Sequence, residues 1–223
     1  MDTPHLYNLL GTICLIQEKD TEAEEAFKKA IELNENLLDP YLNLGRVYAK
    51  KLLYDQTIEQ FEKMIQMHPK SLSSYMLLGV LYQSQNNRQK AVEYYQKALK
   101  INPKFAPAAH HLAWNYVEDG RNLDDASTLI DTARAQMPDH PVPTDTLGWI
   151  YYKKRDYEKA IKLFRESITK RSNSPVSRYH LGMAYYKTGN TDLAKVELQQ
   201  ALQFREDFLG VQDAREVLAR LER

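Results

Sequence analysis

The chain repeats one pattern of apolar and small residues along most of its length. A leucine is followed by a glycine, or once by an alanine, at nearly constant intervals. The small residues are Gly11, Gly45, Gly79, Ala113, Gly148 and Gly182, with successive spacings of 34, 34, 34, 35 and 34 residues. Spacing this regular indicates an array of stacked structural repeats.

Other apolar positions keep the same register and predict two helices in each repeat. Three residues after the small residue come Cys14, Tyr48, Tyr82, Tyr116, Tyr151 and Tyr185. Later in each repeat, a small residue precedes a large apolar one by four positions, as in Ala23 and Phe27 or Ala160 and Phe164. Apolar residues three and four apart are typical of amphipathic helices.

The register predicts six repeats and thirteen helices, with no β-sheet. The repeats are residues 4–37, 38–71, 72–105, 106–140, 141–174 and 175–208. The fourth repeat has one extra residue between Glu118 and Leu123, so we expect a longer turn between its two helices. Apolar residues on one face of Val211 to Leu221 predict a helix that caps the last repeat, within residues 209–223.

A first helix with Leu-Gly-x-x-Tyr and a second with Ala-x₃-Phe-x₂-Ala, repeated every 34 residues, resemble the tetratricopeptide repeat (TPR) family throughout the chain. The resemblance implies an all-α fold, a right-handed TPR superhelix (α-solenoid), built as a single domain over residues 1–223. It also implies a non-enzymatic scaffold that binds a protein or peptide partner in a concave groove lined by the first helices.

Composition and charge exclude several classes. The 223 residues carry 30 Lys and Arg against 30 Asp and Glu, so the chain lacks the basic excess that nucleic-acid binding requires. A single cysteine, Cys14, excludes an internal disulfide, and its place in the repeat predicts a buried thiol. No apolar run is long enough to span a membrane.

Candidate chemistry is sparse. His110 and His111 are adjacent and point about 100° apart on a helix, so they are poorly placed to share a metal ion. His5, His68 and His140 lie near repeat boundaries, where we expect them to face solvent. The chain has no phosphate-binding, dinucleotide or hydrolase motif. We therefore expect no catalytic residue, no cofactor and no metal.

The TPR resemblance assigns partner binding to positions on the first helices that face away from the Leu-Gly-Tyr core. Carried onto this sequence, the predicted groove comprises Asn43, Arg46, Lys50, His110, Trp114, Trp149, Tyr152, Tyr179, Met183 and Tyr186. Trp114, Trp149, Tyr152 and Tyr186 share register between repeats and suggest an aromatic stripe. Two interpretations stay open: the stripe anchors a partner, or it packs neighbouring repeats together.

The last repeats also resemble the C-terminal ends of bacterial TPR proteins from exopolysaccharide-export and exosortase systems, on the segments Asp145 to Tyr152 and Arg178 to Tyr185. Two alternatives to a simple binding scaffold follow. One is a component of an export or envelope assembly, with glycan as a possible ligand; the other is a self-associating scaffold.

The first repeat is in register almost from Met1, so we expect further residues upstream in the natural protein. The compartment is left open: cytoplasmic if the chain is complete, periplasmic or envelope-associated if it is part of an exported protein.

Overall fold

The computed structural model describes residues 3–204 and 207–222. All regular secondary structure in those ranges is helical, and they contain no strand. The predicted all-α helical repeat fold with thirteen helices is therefore confirmed for the described residues. The helices are α1 (Thr3–Ile16), α2 (Asp20–Leu33), α3 (Leu38–Lys50), α4 (Tyr54–Met67), α5 (Leu72–Ser84), α6 (Arg88–Ile101), α7 (Ala106–Glu118), α8 (Leu123–Gln136), α9 (Pro141–Lys153), α10 (Tyr157–Lys170), α11 (Pro175–Lys187), α12 (Thr191–Phe204) and α13 (Val211–Leu221).

Some predictions reach beyond the described residues. Met1 and Asp2 at the start of the chain, Arg205 and Glu206 in the predicted sixth repeat, and Arg223 in the predicted cap lie outside them.

The repeated glycine lets the two helices of a repeat approach closely. A Cβ added at Gly45 would lie 2.4 Å from the Phe61 ring, and one at Gly148 would lie 2.6 Å from the Phe164 ring. Both rings are buried in the described structure. In each repeat that has this glycine, the glycine therefore lies directly against the large apolar residue of the second helix, as their shared register predicts.

Short turns join the two helices of each repeat. Five of these turns have three residues, and each places its second residue in the left-handed region: Glu18, Leu52, Asn86, Arg155 and Gly189. In the fourth repeat the turn is one residue longer, spanning 119–122, and both Gly120 and Asn122 are left-handed. The longer turn predicted there is confirmed.

The chain divides into two compact units, Met1–Asn102 and Pro103–Arg223. In the N-terminal unit, each helix from α1 to α6 packs against the next one. Cys14 is buried there in a cluster with Phe27 and Tyr48, so its predicted burial is confirmed.

In the C-terminal unit, consecutive helices from α7 to α13 pack together, and α7, α9, α11 and α13 also contact one another in turn. The helix predicted from Val211 to Leu221 is present as α13, and it buries Ala214, Val217 and Leu218. This confirms the amphipathic helix expected at the end of the last repeat.

Candidate partner-binding surface

The N-terminal unit presents a polar surface on α3. Asn43 donates a hydrogen bond from Nδ2 to Asn8 Oδ1 at 3.1 Å, which links α3 to α1. Arg46 is exposed, and Lys50 Nζ lies 2.7 Å from Asp20 Oδ1. These predicted groove residues are therefore accessible, although the charge of Lys50 is already paired.

A polar contact of one register joins α1 to α3 in the N-terminal unit, and α7 to α9 and α9 to α11 in the C-terminal unit. If the first residue of a repeat is position 1, the side chain at position 5 contacts position 6 of the next repeat. The pairs are Asn8 with Asn43 at 3.1 Å, His110 with Thr146 at 3.1 Å, and Asp145 with His180 at 2.8 Å. We call these three pairs the polar ladder. Each pair matches one group that can donate with one that can accept, so it favours a single alignment of the two helices.

The Asp145–His180 pair is buried, with only 1% of the His180 side chain and 10% of the Asp145 side chain exposed. Asp145 Oδ2 lies 2.8 Å from His180 Nδ1, whereas Oδ1 has no hydrogen-bond partner among the described residues. A buried polar pair of this kind fixes geometry more than it adds net stability.

Trp149 lies at the centre of an aromatic stack. Its indole is nearly parallel to the Tyr152 ring, with centroids 4.5 Å apart, and to the His180 ring at 4.2 Å. Only 7% of Trp149 is exposed. The group of Trp149, Tyr152 and His180, here called the Trp149 stack, packs with the core of the C-terminal unit.

Three predicted groove residues are buried instead of lining an open surface. They are Trp149, Tyr179 and Met183, which are 7%, 4% and 9% exposed. The sequence pattern predicts the helix positions of these residues, but it does not show which side chains pack against them. Because α9 and α11 carry large side chains at adjacent register positions, these side chains cover one another.

The Tyr179 ring is covered by the end of the chain. Its hydroxyl donates to Asp213 Oδ2 at 3.1 Å, and its ring centroid lies 5.8 Å from that of Phe208. A Cβ added at Gly210 would lie 2.3 Å from the Tyr179 ring, so the segment leading into α13 requires glycine there. Burial and the Asp213 carboxylate raise the pKa of Tyr179 well above its usual range.

Part of the predicted groove in the C-terminal unit is accessible to solvent. His110, Trp114, Tyr152 and Tyr186 are half-buried, and the three aromatic residues pack against the core while keeping part of their surface in solvent. Burial raises the pKa of Tyr152 to about 12 and lowers the pKa of His110 to about 4, so both are neutral at pH 7.

Two lysines beside these tyrosines were missed by sequence reasoning. Lys153 and Lys187 are the exposed last residues of α9 and α11. Lys153 Nζ lies 5.2 Å from the centre of a Trp149 ring, and Lys187 Nζ lies 6.0 Å from that of Tyr186. The signal was present in the sequence, since the dipeptide Tyr-Lys recurs at 152–153 and 186–187.

Other candidate chemistry is sparse in the described ranges. No three His, Cys, Asp or Glu side chains of residues 3–204 and 207–222 are grouped as a metal site. No helix in those ranges has the length and apolar character needed to span a membrane. His5, His68 and His140 are exposed, as expected near repeat boundaries.

Family models match three segments of the chain. Models described as tetratricopeptide repeat match residues 4–37 and residues 73–105. This chain contains tetratricopeptide repeats. A third model, described as anaphase-promoting complex, cyclosome, subunit 3, matches residues 119–201. Proteins built from such repeats are typically non-enzymatic scaffolds.

Solved structures share the TPR fold at low sequence identity. The Cut9–Hcn1 hetero-tetramer of the APC/C has a TM-score of 0.79 at 17% identity; the match covers 99% of this chain but only 43% of that chain. PilW, described as a widely conserved type IV pilus biogenesis factor, has a TM-score of 0.77 at 14% identity, with 96% of this chain and 99% of PilW covered. A TPR protein from Parabacteroides merdae ATCC 43184 has a TM-score of 0.68 at 17% identity, covering 99% and 84%.

YrrB, described as a TPR protein with an unusual peptide-binding site, has a TM-score of 0.61 at 22% identity, covering 77% of this chain and 88% of YrrB. The comparison with curated proteins gives no match. None of these similarities points to exopolysaccharide export or exosortase systems. At these identities the structures show the TPR fold alone.

Proposed function

We propose that this TPR chain is a non-enzymatic scaffold that binds a segment of a partner protein on the exposed side of its first helices. One observation carries the proposal: the Trp149 stack holds Tyr152 in place while leaving part of its ring in solvent, and Tyr186 follows one repeat later. Aromatic rings that are fixed before binding lose little entropy when a partner arrives. Tyrosine and tryptophan are also enriched among the residues that dominate binding energy.

The proposal places different residues in different roles. Tyr152, Tyr186 and the exposed part of Trp114 supply contact area, while Lys153 and Lys187 supply charge at the edge. Trp149, Tyr179 and Met183 support that surface from below. In the N-terminal unit, Asn43, Arg46 and Lys50 form a separate polar surface for the same kind of partner.

Selection of peptides from a random display library on the immobilised chain tests this proposal. Selected peptides should bind the chain in solution, and replacing Tyr152 and Tyr186 together by alanine should weaken that binding by about 2 kcal/mol or more. Tyr75→Ala is the matched control, because Tyr75 is also partly exposed but lies in the N-terminal unit. Equal affinity for the double variant and the original chain would contradict the assignment of these tyrosines.

An envelope or exopolysaccharide-export role is a second candidate. The structural neighbour PilW is a type IV pilus biogenesis factor, and the accessible rings of Tyr152 and Tyr186 suit stacking against sugar faces. Titration with soluble acidic and neutral polysaccharides, followed by the intrinsic fluorescence of Trp114 and Trp149, separates this candidate from peptide binding. The candidate requires saturable binding that the Tyr152 and Tyr186 variant loses.

Self-association is a third candidate, and the exposed apolar side chains of α1 favour it. Leu6, Leu9, Leu10, Ile13 and Ile16 are between 43% and 79% exposed.

A further inference from the structure

A recess lies between the first two repeats, where α2, α3 and α4 meet. Its volume is about 370 Å³, and its apolar wall consists of Ile31, Tyr41, Leu44 and Tyr48. Charged side chains of α2 and α4 form the rest of its lining, together with Gln60 of α4. None of the predicted groove residues lines it. We call it the Gln60 recess, and it is separate from the surface around Tyr152.

The side chain of Gln60 is buried without a partner. Only 6% of the residue is exposed, yet its amide has no hydrogen bond to the described residues. The amide is not sealed inside the protein, because the one fully enclosed, unpartnered side-chain oxygen or nitrogen in the described ranges belongs to Asp145. It therefore opens into the recess that Gln60 lines. Removing a polar group from most of its water without supplying a partner is costly, so this amide points to a ligand.

The same register position is satisfied within the chain at two other junctions. Gln60 is at position 23 of the second repeat. At position 23 of the third repeat, the Tyr94 hydroxyl donates to Glu62 Oε1 at 3.3 Å. At position 23 of the sixth repeat, Glu197 Oε2 accepts a hydrogen bond from Arg178 at 2.8 Å. Among these three residues, Gln60 is the one whose partner the described chain does not supply.

The charges around the recess are already paired. Three ion pairs include all of its lysines and glutamates: Lys28 with Glu24 at 2.7 Å, Lys29 with Glu32 at 2.8 Å, and Lys63 with Glu59 at 2.8 Å. A carboxylate, phosphate or ammonium group would therefore lose water in the recess without gaining a free counter-charge. The recess offers an uncharged ligand one amide, which both donates and accepts, beside an apolar wall.

We propose that the Gln60 recess binds an uncharged, extended segment of a partner protein. The Gln60 amide donates to a backbone carbonyl of that segment and accepts from a backbone N–H. An apolar side chain of the segment packs against Ile31 and Tyr41. The site is independent of peptide binding by Tyr152 and Tyr186, which lie in the other compact unit.

A second recess favours a chain segment over a small molecule. It has a volume of about 260 Å³ and lies between the second and third repeats, where Ile65 and Tyr75 take the places of Ile31 and Tyr41. A segment that leaves the Gln60 recess along the repeats thus meets a pocket of the same register. A sugar fits less well, because it needs an open aromatic face and Tyr41 is only 6% exposed.

The chain itself does not cover the Gln60 recess. The connections between successive helices from α1 to α6 have three or four residues, too few for a loop of this unit to fill it. A further repeat placed before α1 would pack on α1, as α2 packs on α3 and α4 on α5, and α1 does not line the recess. A segment of a second protein is therefore the occupant that we propose.

Selection of peptides from a random display library tests the site. The bait is the full chain carrying Tyr152→Ala and Tyr186→Ala, so that peptides held by those tyrosines are not recovered. We expect peptides without charged residues in the part that binds. Gln60→Met should weaken their binding about tenfold, because it keeps the length of the side chain and removes both hydrogen bonds. Gln89→Ala is the control, since Gln89 is exposed on α6 and lines neither recess, and it should leave binding unchanged.

The selection has two results that would overturn the inference. One is that no recovered peptide depends on Gln60, and the other is that the recovered peptides are acidic or basic. Titration of the same bait with a soluble neutral polysaccharide should show no binding that Gln60→Met removes, and such binding would assign the recess to glycan instead. Failure of peptide binding at Tyr152 and Tyr186 leaves these outcomes unchanged, because the bait lacks both rings.

Two further measurements separate a binding role of Gln60 from a structural one. Gln60→Met replaces an unpartnered amide by apolar atoms, so the variant should melt at the same temperature as the original chain or higher. A lower melting temperature would mean that the amide supports the fold. In nuclear magnetic resonance spectra, the side-chain amide signal that Gln60→Met removes should shift when a selected peptide is added, whereas the Gln89 signal should not. An unchanged Gln60 signal in the presence of bound peptide would contradict the proposed contact.

Discussion

At the scale of single residues, the same repeat position has different roles in different repeats. Position 9 is Arg46 in the second repeat, where it is exposed, but Trp149 in the fifth, where it is buried. The difference comes from the neighbours: the rings of Tyr152 and His180 both stack against the Trp149 indole. Trp149 is therefore a core residue that supports a surface, and substitutions there act first on folding.

We expect Trp149→Ala to lower the free energy of unfolding by about 3–5 kcal/mol, because a large buried ring is lost and a cavity remains. Trp114→Ala should cost clearly less, since Trp114 is half-buried. Urea denaturation of both variants measures the difference. Similar losses for the two substitutions would mean that Trp149 is not packed as the stack requires.

The Asp145–His180 pair should be costly to break on one side only. His180→Ala leaves Asp145 buried without its contact, and we expect a loss of about 3–5 kcal/mol in the free energy of unfolding. Replacing both residues by apolar ones should restore much of that loss. A double-mutant cycle measures the coupling, and simple additivity would contradict a direct interaction.

His110 makes the fold sensitive to mild acid. Burial lowers its pKa to about 4, so between pH 6.5 and 4 the unfolded chain binds a proton that the folded chain does not. Stability is therefore present above the unfolded pKa and falls as the pH drops, by about 2 kcal/mol at pH 5 from this group. His110→Gln should remove that part of the loss between pH 7.5 and 5 in urea denaturation. His68→Gln, at an exposed histidine, should leave it unchanged.

At the scale of secondary structure, helix positions follow closely from the sequence. The spacing of leucine, glycine and aromatic residues is enough to place two helices in each repeat, because each glycine contact needs its large partner at a fixed distance along the chain. The extra residue before Leu123 lengthens one turn and leaves the helices intact.

Exposure of the groove positions was not predictable in the same way. Whether Tyr179 faces a partner or the protein depends on residues far along the chain, here Phe208, Gly210 and Asp213. Register identifies which side of a helix a residue occupies. It contains no information on how large the side chains opposite are, and so the predicted groove included three buried residues.

Helix α13 should be essential to the C-terminal unit. Removing residues 209–223 uncovers Tyr179 and the apolar surface now occupied by Ala214, Val217 and Leu218. Burial of one such Val or Leu side chain is worth about 1.5–3 kcal/mol, so the shortened chain should melt earlier or aggregate. Thermal unfolding and light scattering measure both effects. Arg215→Ala, on the exposed side of α13, is the control and should melt like the original chain.

At the scale of the whole molecule, burial is unevenly distributed among the helices. In α9 every residue from Pro143 to Ile150 is buried, and in α11 the same holds from Tyr179 to Tyr185. Helix α1 buries only Gly11 and Cys14. Local stability should follow this distribution, because opening a helix costs more when all of its sides are packed.

We expect amide hydrogen exchange of the dilute chain, measured by mass spectrometry, to be slowest in α9 and α11. Among the helices it should be fastest in α1. Peptides covering residues 141–153 and 3–16 are the ones to compare. Equal protection of these two segments in the dilute chain would contradict the distribution.

The polar ladder also limits the ways in which such a chain can lose or gain whole repeats by recombination. The three contacts of the polar ladder use three different chemical pairs, so the repeats that they join are not interchangeable. An in-frame deletion of residues 141–174 preserves the 34-residue period, yet it brings His110 opposite His180 in place of Thr146. His110 then contacts an imidazole in place of the Thr146 hydroxyl, and His180 contacts an imidazole in place of the Asp145 carboxylate. We therefore expect the gain or loss of a whole repeat to destabilise the junction, even though the helical pattern is unbroken.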